Sequence, residues 1–196
     1  MLKKTLACAF IILFALACTP RQNGKVYTFR SVGWQFTIPI ADYVVEDSSS
    51  FYSRVKLDQQ TAVIADSISK RLMTVVDSTG WFSSPYKMEV LLSNTWGNAR
   101  PVEYYTDSIR KRFTFGYATS FGTERILDST YAQVMVGSQS FNRSQYRVSR
   151  YGHEEMIYHY EAVINKYLMT VSISHIVDNR RGKRLDELWQ ESVFGK

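Results

Sequence analysis

Between Met156 and Ile164 apolar and polar residues alternate with a period of two. Met156, Tyr158, Tyr160, Ala162 and Ile164 fall on one face, and Glu155, His159 and Glu161 fall on the other. After Asn165-Lys166 the apolar set moves to odd positions, Tyr167, Met169, Val171, Ile173, His175 and Val177, against Leu168, Thr170, Ser172 and Ser174. A two-residue turn at Asn165-Lys166 predicts this switch. It sets Ile164 opposite Tyr167, Ala162 opposite Met169, Tyr160 opposite Val171 and Tyr158 opposite Ile173, and a slip of one residue destroys every match. Asn accepts the positive φ that such a turn needs, whereas Lys at the second position costs more than Gly would. The stretch from Tyr131 to Val177 therefore reads as an antiparallel β-meander.

The same patterning places the other elements. Trp34, Phe36 and Ile38 alternate in an opening strand from Gly33 to Pro39, followed by a polar loop around Asp47-Ser48-Ser49-Ser50. From Asp58 the period lengthens: Ile64, Ile68, Leu72 and Val75/Val76 recur every three or four residues, with Asp58 as N-cap and Gly80 past the end, which predicts an amphipathic helix. Met88 to Leu92 reads as a buried strand, and Asn94 to Asn98 turns the chain. Pro101 opens a second helix along Tyr105, Ile109 and Phe113, with Arg110-Lys111-Arg112 on a solvated face. Ile126 to Val136 is a strand ended by a turn at Gly137, and Phe141, Tyr146 and Val148 lead into the meander. After Asp178-Asn179, Leu185, Leu188, Trp189 and Val193 mark a last helix stopping near Gly195. Trp34 and Trp189 read as core. The expected class is α+β, a single antiparallel β-sheet flanked by helices.

The first residues change the picture of where the domain works. Met1-Leu2-Lys3-Lys4 is basic, and the apolar run Leu6 to Ala17 is shorter than the roughly 20 residues needed to span a bilayer, so residues 1–17 read as a signal peptide. Leu16-Ala17-Cys18 resembles the lipobox of bacterial lipoproteins, with leucine one position later than usual. That resemblance implies a lipid on Cys18 as the lipidation site and new N-terminus. Thr19, in place of the aspartate that retains such proteins at the inner membrane, implies an outer-membrane, periplasm-facing anchor. The polar run Thr19 to Thr28 reads as a tether, giving residues 18–28 as lipidated cysteine and tether and residues 29–196 as one domain.

Composition then narrows the chemistry. Cys8 leaves with the signal and Cys18 carries lipid, so the domain keeps no thiol for a disulfide, a thiolate metal site or a cysteine nucleophile. The whole chain carries a formal charge of +6, and removing Lys3 and Lys4 lowers it to +4. This is modestly basic, and export argues against a nucleic-acid partner.

The order of elements resembles the PsbP-type α/β/α sandwich. The residues that carry this are Gly-x-x-Phe-x-Ile-Pro (Gly33 to Pro39), Leu91-Leu92-Ser93, Gly-x-x-x-Phe (Gly137 to Phe141), the meander, and a closing Ser-Val-Phe (Ser192 to Phe194). The resemblance covers nearly all of residues 30–195 and implies the fold of the photosystem II extrinsic subunit, of a Ran-binding import factor and of many bacterial lipoproteins of unknown function. Its motifs are apolar and structural, so it implies a non-catalytic binding or assembly protein without transferring any site residue.

Candidate chemistry is sparse. His159 and Glu161 share a polar strand face, with Thr170 and Ser172 expected across from them. Such a pair is able to ligate a divalent metal or support acid–base chemistry, or simply forms a cross-strand polar set. His153 lies about 20 Å along the strand from His159, too far to share a metal. His175 points to the apolar face, and Glu154-Glu155 alternate faces. Arg143, Arg147, Arg180, Arg181, Lys183 and Arg184 offer a patch for an anionic partner, or a solvated surface. Trp81, Phe82 and Tyr86 offer an aromatic surface for a glycan or protein. No motif of a serine hydrolase, a zincin or a phosphate-binding loop is present, and no cofactor is implied. The expectation is a non-enzymatic, lipid-anchored module whose partner is a membrane-envelope protein, of undetermined oligomeric state. The alternatives are a small-ligand or glycan binder, and a metal-dependent enzyme using His159 and Glu161.

Overall fold

The computed structural model describes residues 24–47, 69–79, 84–94, 103–104, 107, 125–150 and 152–195. Ten strands occupy most of them: β1 (Gly24–Phe29), β2 (Trp34–Pro39), β3 (Val44–Glu46), β4 (Ser69–Val76), β5 (Tyr86–Asn94), β6 (Arg125–Val136), β7 (Gln139–Arg150), β8 (His153–Ile164), β9 (Tyr167–Ile176) and β10 (Val193–Phe194). One helix, α1 (Arg180–Gln190), lies between β9 and β10, and Glu103, Tyr104 and Asp107 are also helical. The strands form two antiparallel sheets, one in the order β1-β2-β10 and the other β3-β4-β5-β9-β8-β7-β6. This corrects the single helix-flanked sheet expected from the sequence.

The largest correction falls on the first expected helix. Ser69–Val76, which contains Leu72 and Val75/Val76 of its apolar line, is strand β4. A bulge between Arg71 and Met73 breaks the alternation, and Leu72 to Val76 are all buried. A strand buried on both faces has no period two to read. The helix's earlier residues and most of the second expected helix lie outside the described residues. Two smaller corrections concern the ends of the domain. Gly24 to Thr28, read as tether, pairs with β2 as strand β1. The last helix stops at Gln190, and Val193, placed on its apolar line, sits in β10 against Gln35.

The hairpin follows its sequence. Asn165 and Lys166 hold φ of 47° and 73°, and the register pairs Ile164 with Tyr167, Ala162 with Met169, Tyr160 with Val171 and Tyr158 with Ile173. These apolar residues line the face that receives α1 and the small sheet. Trp189 is fully buried where the three meet, 5.7 Å from the Trp34 ring, 5.4 Å from Phe141 and 5.6 Å from Tyr160. Burial of such a ring contributes about 3 to 5 kcal/mol. Asn179 caps α1 by accepting a hydrogen bond from the Gly182 amide at 2.7 Å. The turn at Gly137, with φ of 56°, lies so close to Ser192 that an added Cβ would come within 2.7 Å of its carbonyl oxygen. Ser138 donates to the Phe194 carbonyl, and the Gly195 amide donates to that of Gly33, so the β6–β7 turn and the β1–β2 turn clasp β10.

Candidate functional site

The face of the large sheet away from α1 carries the polar residues. Register aligns them in rows across the strands. One row runs Thr74, Glu89, Ser172, His159, Ser144 and Tyr131 across β4, β5, β9, β8, β7 and β6. The next runs Arg71, Leu91, Thr170, Glu161, Asn142 and Gln133. His159 and Glu161 are thus neighbours on β8, with Ser172 and Thr170 opposite them as the alternation predicts.

This face is closed as well as polar. Glu161, Thr74 and Ser144 are buried, and His159 is largely withdrawn from solvent. His159 Nδ1 pairs with Ser172 Oγ at 2.8 Å, and its ring lies 6.1 Å from that of Tyr146. Burial pushes the imidazole pKa down to about 4; Lys87 adds to the shift and Glu89 opposes it. The ring is neutral at pH 7. Beside it Glu89 bonds Arg71, and its other oxygen lies 2.8 Å from Lys87 Nζ. Burial alone would raise the Glu89 pKa, but the two cations more than offset it and hold the carboxyl below its ordinary value. Tyr146, Val148 and Ile157 form a small second core on this face, with Ile126 against them.

Arg71, Lys87, Glu89, Asn142 and Ser144 were not singled out from the sequence, although Lys87 and Glu89 alternate with Met88 and Val90 in a way that puts them on one face. Among the described residues no three of His, Cys, Asp and Glu come together to hold a metal. His153 is exposed and lies 3.4 Å from Glu155, on β8 but far from His159. His175 is buried on the core face as expected, and its Nδ1 lies 2.8 Å from the Ile176 carbonyl oxygen. Near it, Tyr160 donates to Asp186 of α1 at 2.8 Å, and Gln190 Nε2 donates to the other carboxylate oxygen. Burial raises the pKa of Asp186, and these two hydrogen bonds partly restrain it.

The proposed basic patch divides. Arg147 pairs with Glu154 at 2.7 Å, Arg181 lies 3.5 Å from Asp42, and Arg184 lies 2.9 Å from both Glu187 and Glu191. Arg143 stands near Tyr160 and Asp186, where burial raises the pKa of both and the Arg143 charge partly opposes the rise. Arg180 and Lys183 are exposed in the first turn of α1, where cations oppose the helix dipole. Of the aromatic surface, Tyr86 is core: it is buried and donates to the Asp42 carbonyl at 2.9 Å. Trp81, Phe82 and Cys18 lie outside the described residues.

No family model matches the chain, and a search of curated proteins finds no match. Solved structures do. Cyanobacterial PsbP (CyanoP) from Synechocystis sp. PCC 6803 superposes with a TM-score of 0.51 at 12% identity, over 88% of this chain and 90% of that one. The chain therefore has a PsbP-like fold. Weaker likenesses are to the Ran-binding protein Mog1p of Saccharomyces cerevisiae and to the T6SS immunity protein TplEi of Pseudomonas aeruginosa. For Mog1p the TM-score is 0.39 at 10% identity, over 85% of this chain and 84% of that one. For TplEi it is 0.43 at 9% identity, over 89% and 99%.

Proposed function

We propose that this chain is a lipid-anchored cell-envelope protein whose domain is a non-enzymatic binding or assembly module. The observation that carries the reading is the use made of its most reactive residues. Glu161 is buried, and His159 is bonded to Ser172 and held neutral, so the pair best suited to chemistry is committed to the closed second face of the sheet. Leu16-Ala17-Cys18 supplies the attachment, and Thr19 favours an outer-membrane, periplasm-facing position.

Crosslinking and affinity capture from intact envelopes tests this, with Cys18→Ala as the unanchored control. One protein captured in stoichiometric yield by the anchored form alone is the expected result. An EDTA-sensitive hydrolytic activity that disappears in His159→Ala overturns the reading.

A further inference from the structure

Gly24 opens β1 and pairs with Pro39 at the end of β2. Pro39 begins a turn in which the Asp42 amide donates to its carbonyl at 3.2 Å. Asp42 in turn lies 3.5 Å from Arg181, and Tyr43 donates to the Arg181 carbonyl at 2.9 Å. The start of β1, the β2–β3 turn and the first turn of α1 therefore share one end of the domain. Cys18 stands six residues before Gly24, and a chain of that length reaches about 20 Å at full extension. A lipid on Cys18 holds this end at the bilayer, whereas the β1–β2 turn lies the length of β1 further away.

The side chains at this end suit that surface. Lys25, Arg180 and Lys183 are exposed, and Ile40 is 57% exposed in the turn after β2. The first turn of α1 holds no acid, so its cations and the positive end of the helix dipole have the same sign. That arrangement costs stability in water and becomes favourable against an anion. Of the acids near this end, Asp42, Glu154 and Glu155 are paired with Arg181, Arg147 and Arg150. Asp77 is half-buried and accepts from Thr79, and Asp178 is exposed. We infer that this end of the domain docks on the anionic phospholipids of the membrane that holds the anchor, with Lys25, Arg180 and Lys183 against headgroup phosphates and Ile40 set among them. The inference rests on the lipid-anchor reading and deepens it by orienting the domain. The β1–β2 turn then faces away from the membrane.

The test reconstitutes the mature lipidated chain into vesicles, with Ile40→Cys carrying an environment-sensitive fluorophore. In vesicles of phosphatidylethanolamine and phosphatidylglycerol the label is expected to shift to the blue and to return at high salt. In phosphatidylcholine vesicles it is expected not to shift, and neither is the same label on Ser31→Cys in the β1–β2 turn. Arg180→Glu with Lys183→Glu removes the shift and leaves the domain folded, because acids in a first turn suit the helix dipole. The unanchored chain, with Cys8→Ala and Cys18→Ala, gives the size of the effect. Each cation near such a surface contributes about fivefold, so the double reversal weakens its binding to the phosphatidylglycerol vesicles by at least about 25-fold.

A label at residue 40 that reads the same in both vesicles overturns the inference. So does an equal shift at residue 31, or a shift indifferent to the double reversal. A mature protein whose mass lacks acyl chains sinks the lipid-anchor reading, and the unanchored chain then decides the docking. Salt-sensitive binding to phosphatidylglycerol vesicles that the double reversal weakens supports it, and no binding overturns it.

Discussion

Gly182→Ala measures how firmly α1 is seated. In an exposed helix this exchange stabilises by about 1 kcal/mol. Here a Cβ on residue 182 falls 2.2 Å from His175 Cβ, 2.8 Å from His175 Cγ and 3.1 Å from Tyr86 Cβ. Carbon atoms pack at about 3.5 to 4.0 Å, so more than 1 Å must be found. The obstacle is close to backbone: His175 and Tyr86 are register partners on β9 and β5, in the middle of the large sheet. Only α1 is able to move, and lifting it loosens Leu185, Leu188 and Trp189, all buried beneath it. Overpacking of this kind costs about 1 to 3 kcal/mol, and the loosened contacts add to it, so the net loss after the helix gain is about 2 kcal/mol. For a domain of this size that lowers the melting temperature by about 4 to 8 °C. Urea and thermal unfolding of the purified protein read the change directly, with the exposed Lys183→Ala as a control of little effect. His175→Ala leaves the obstructing Cβ in place and does not rescue the variant. A Gly182→Ala protein as stable as its parent would refute the packing argument.

Two further outcomes follow from the polar face. His159 has a folded pKa of about 4 against an ordinary 6.5, so the unfolded chain takes up its proton first; the stability this contributes is whole above pH 6.5 and is lost as pH falls towards 4, by up to about 3 kcal/mol. His159→Gln flattens that part of the stability–pH curve, and parallel curves for the two proteins would show the ring is not held neutral. Glu89→Gln leaves Arg71 and Lys87 without their shared carboxylate in a poorly solvated place and costs about 2 kcal/mol. Arg184→Ala, which breaks exposed pairs with Glu187 and Glu191, stays within about 0.5 kcal/mol by urea midpoint.

The residues that revealed themselves in sequence are those whose faces differ. On β8 and β9 one face is core and the other polar, so period two fixed strand, register and the neighbours of His159 and Glu161 together. On β4 both faces are buried and a bulge shifts the count, so Leu72, Val75 and Val76 imitate helical spacing; the β-branched run Thr74-Val75-Val76 was the better signal. β1 and β10 escaped notice for another reason. A two-residue strand and a polar edge strand carry almost no local pattern, and β2 supplies what holds them. The polar rows have the same origin: each strand shows its own alternation, but only pairing between strands far apart in sequence brings Arg71, Glu89 and His159 onto one surface.

The clasp on β10 bears on when this domain is able to fold. Val193 and Phe194 complete a sheet begun at Gly24, and the ring of Trp189 that they help enclose fills the junction with the large sheet. A loop of more than 150 residues must close before that junction forms, and such distant pairing comes late and slowly. Until Val193 and Phe194 pair with β2, the small sheet has no third strand. Closure of that junction is therefore a late step of folding, set by the distance in sequence between β2 and β10 rather than by any local preference.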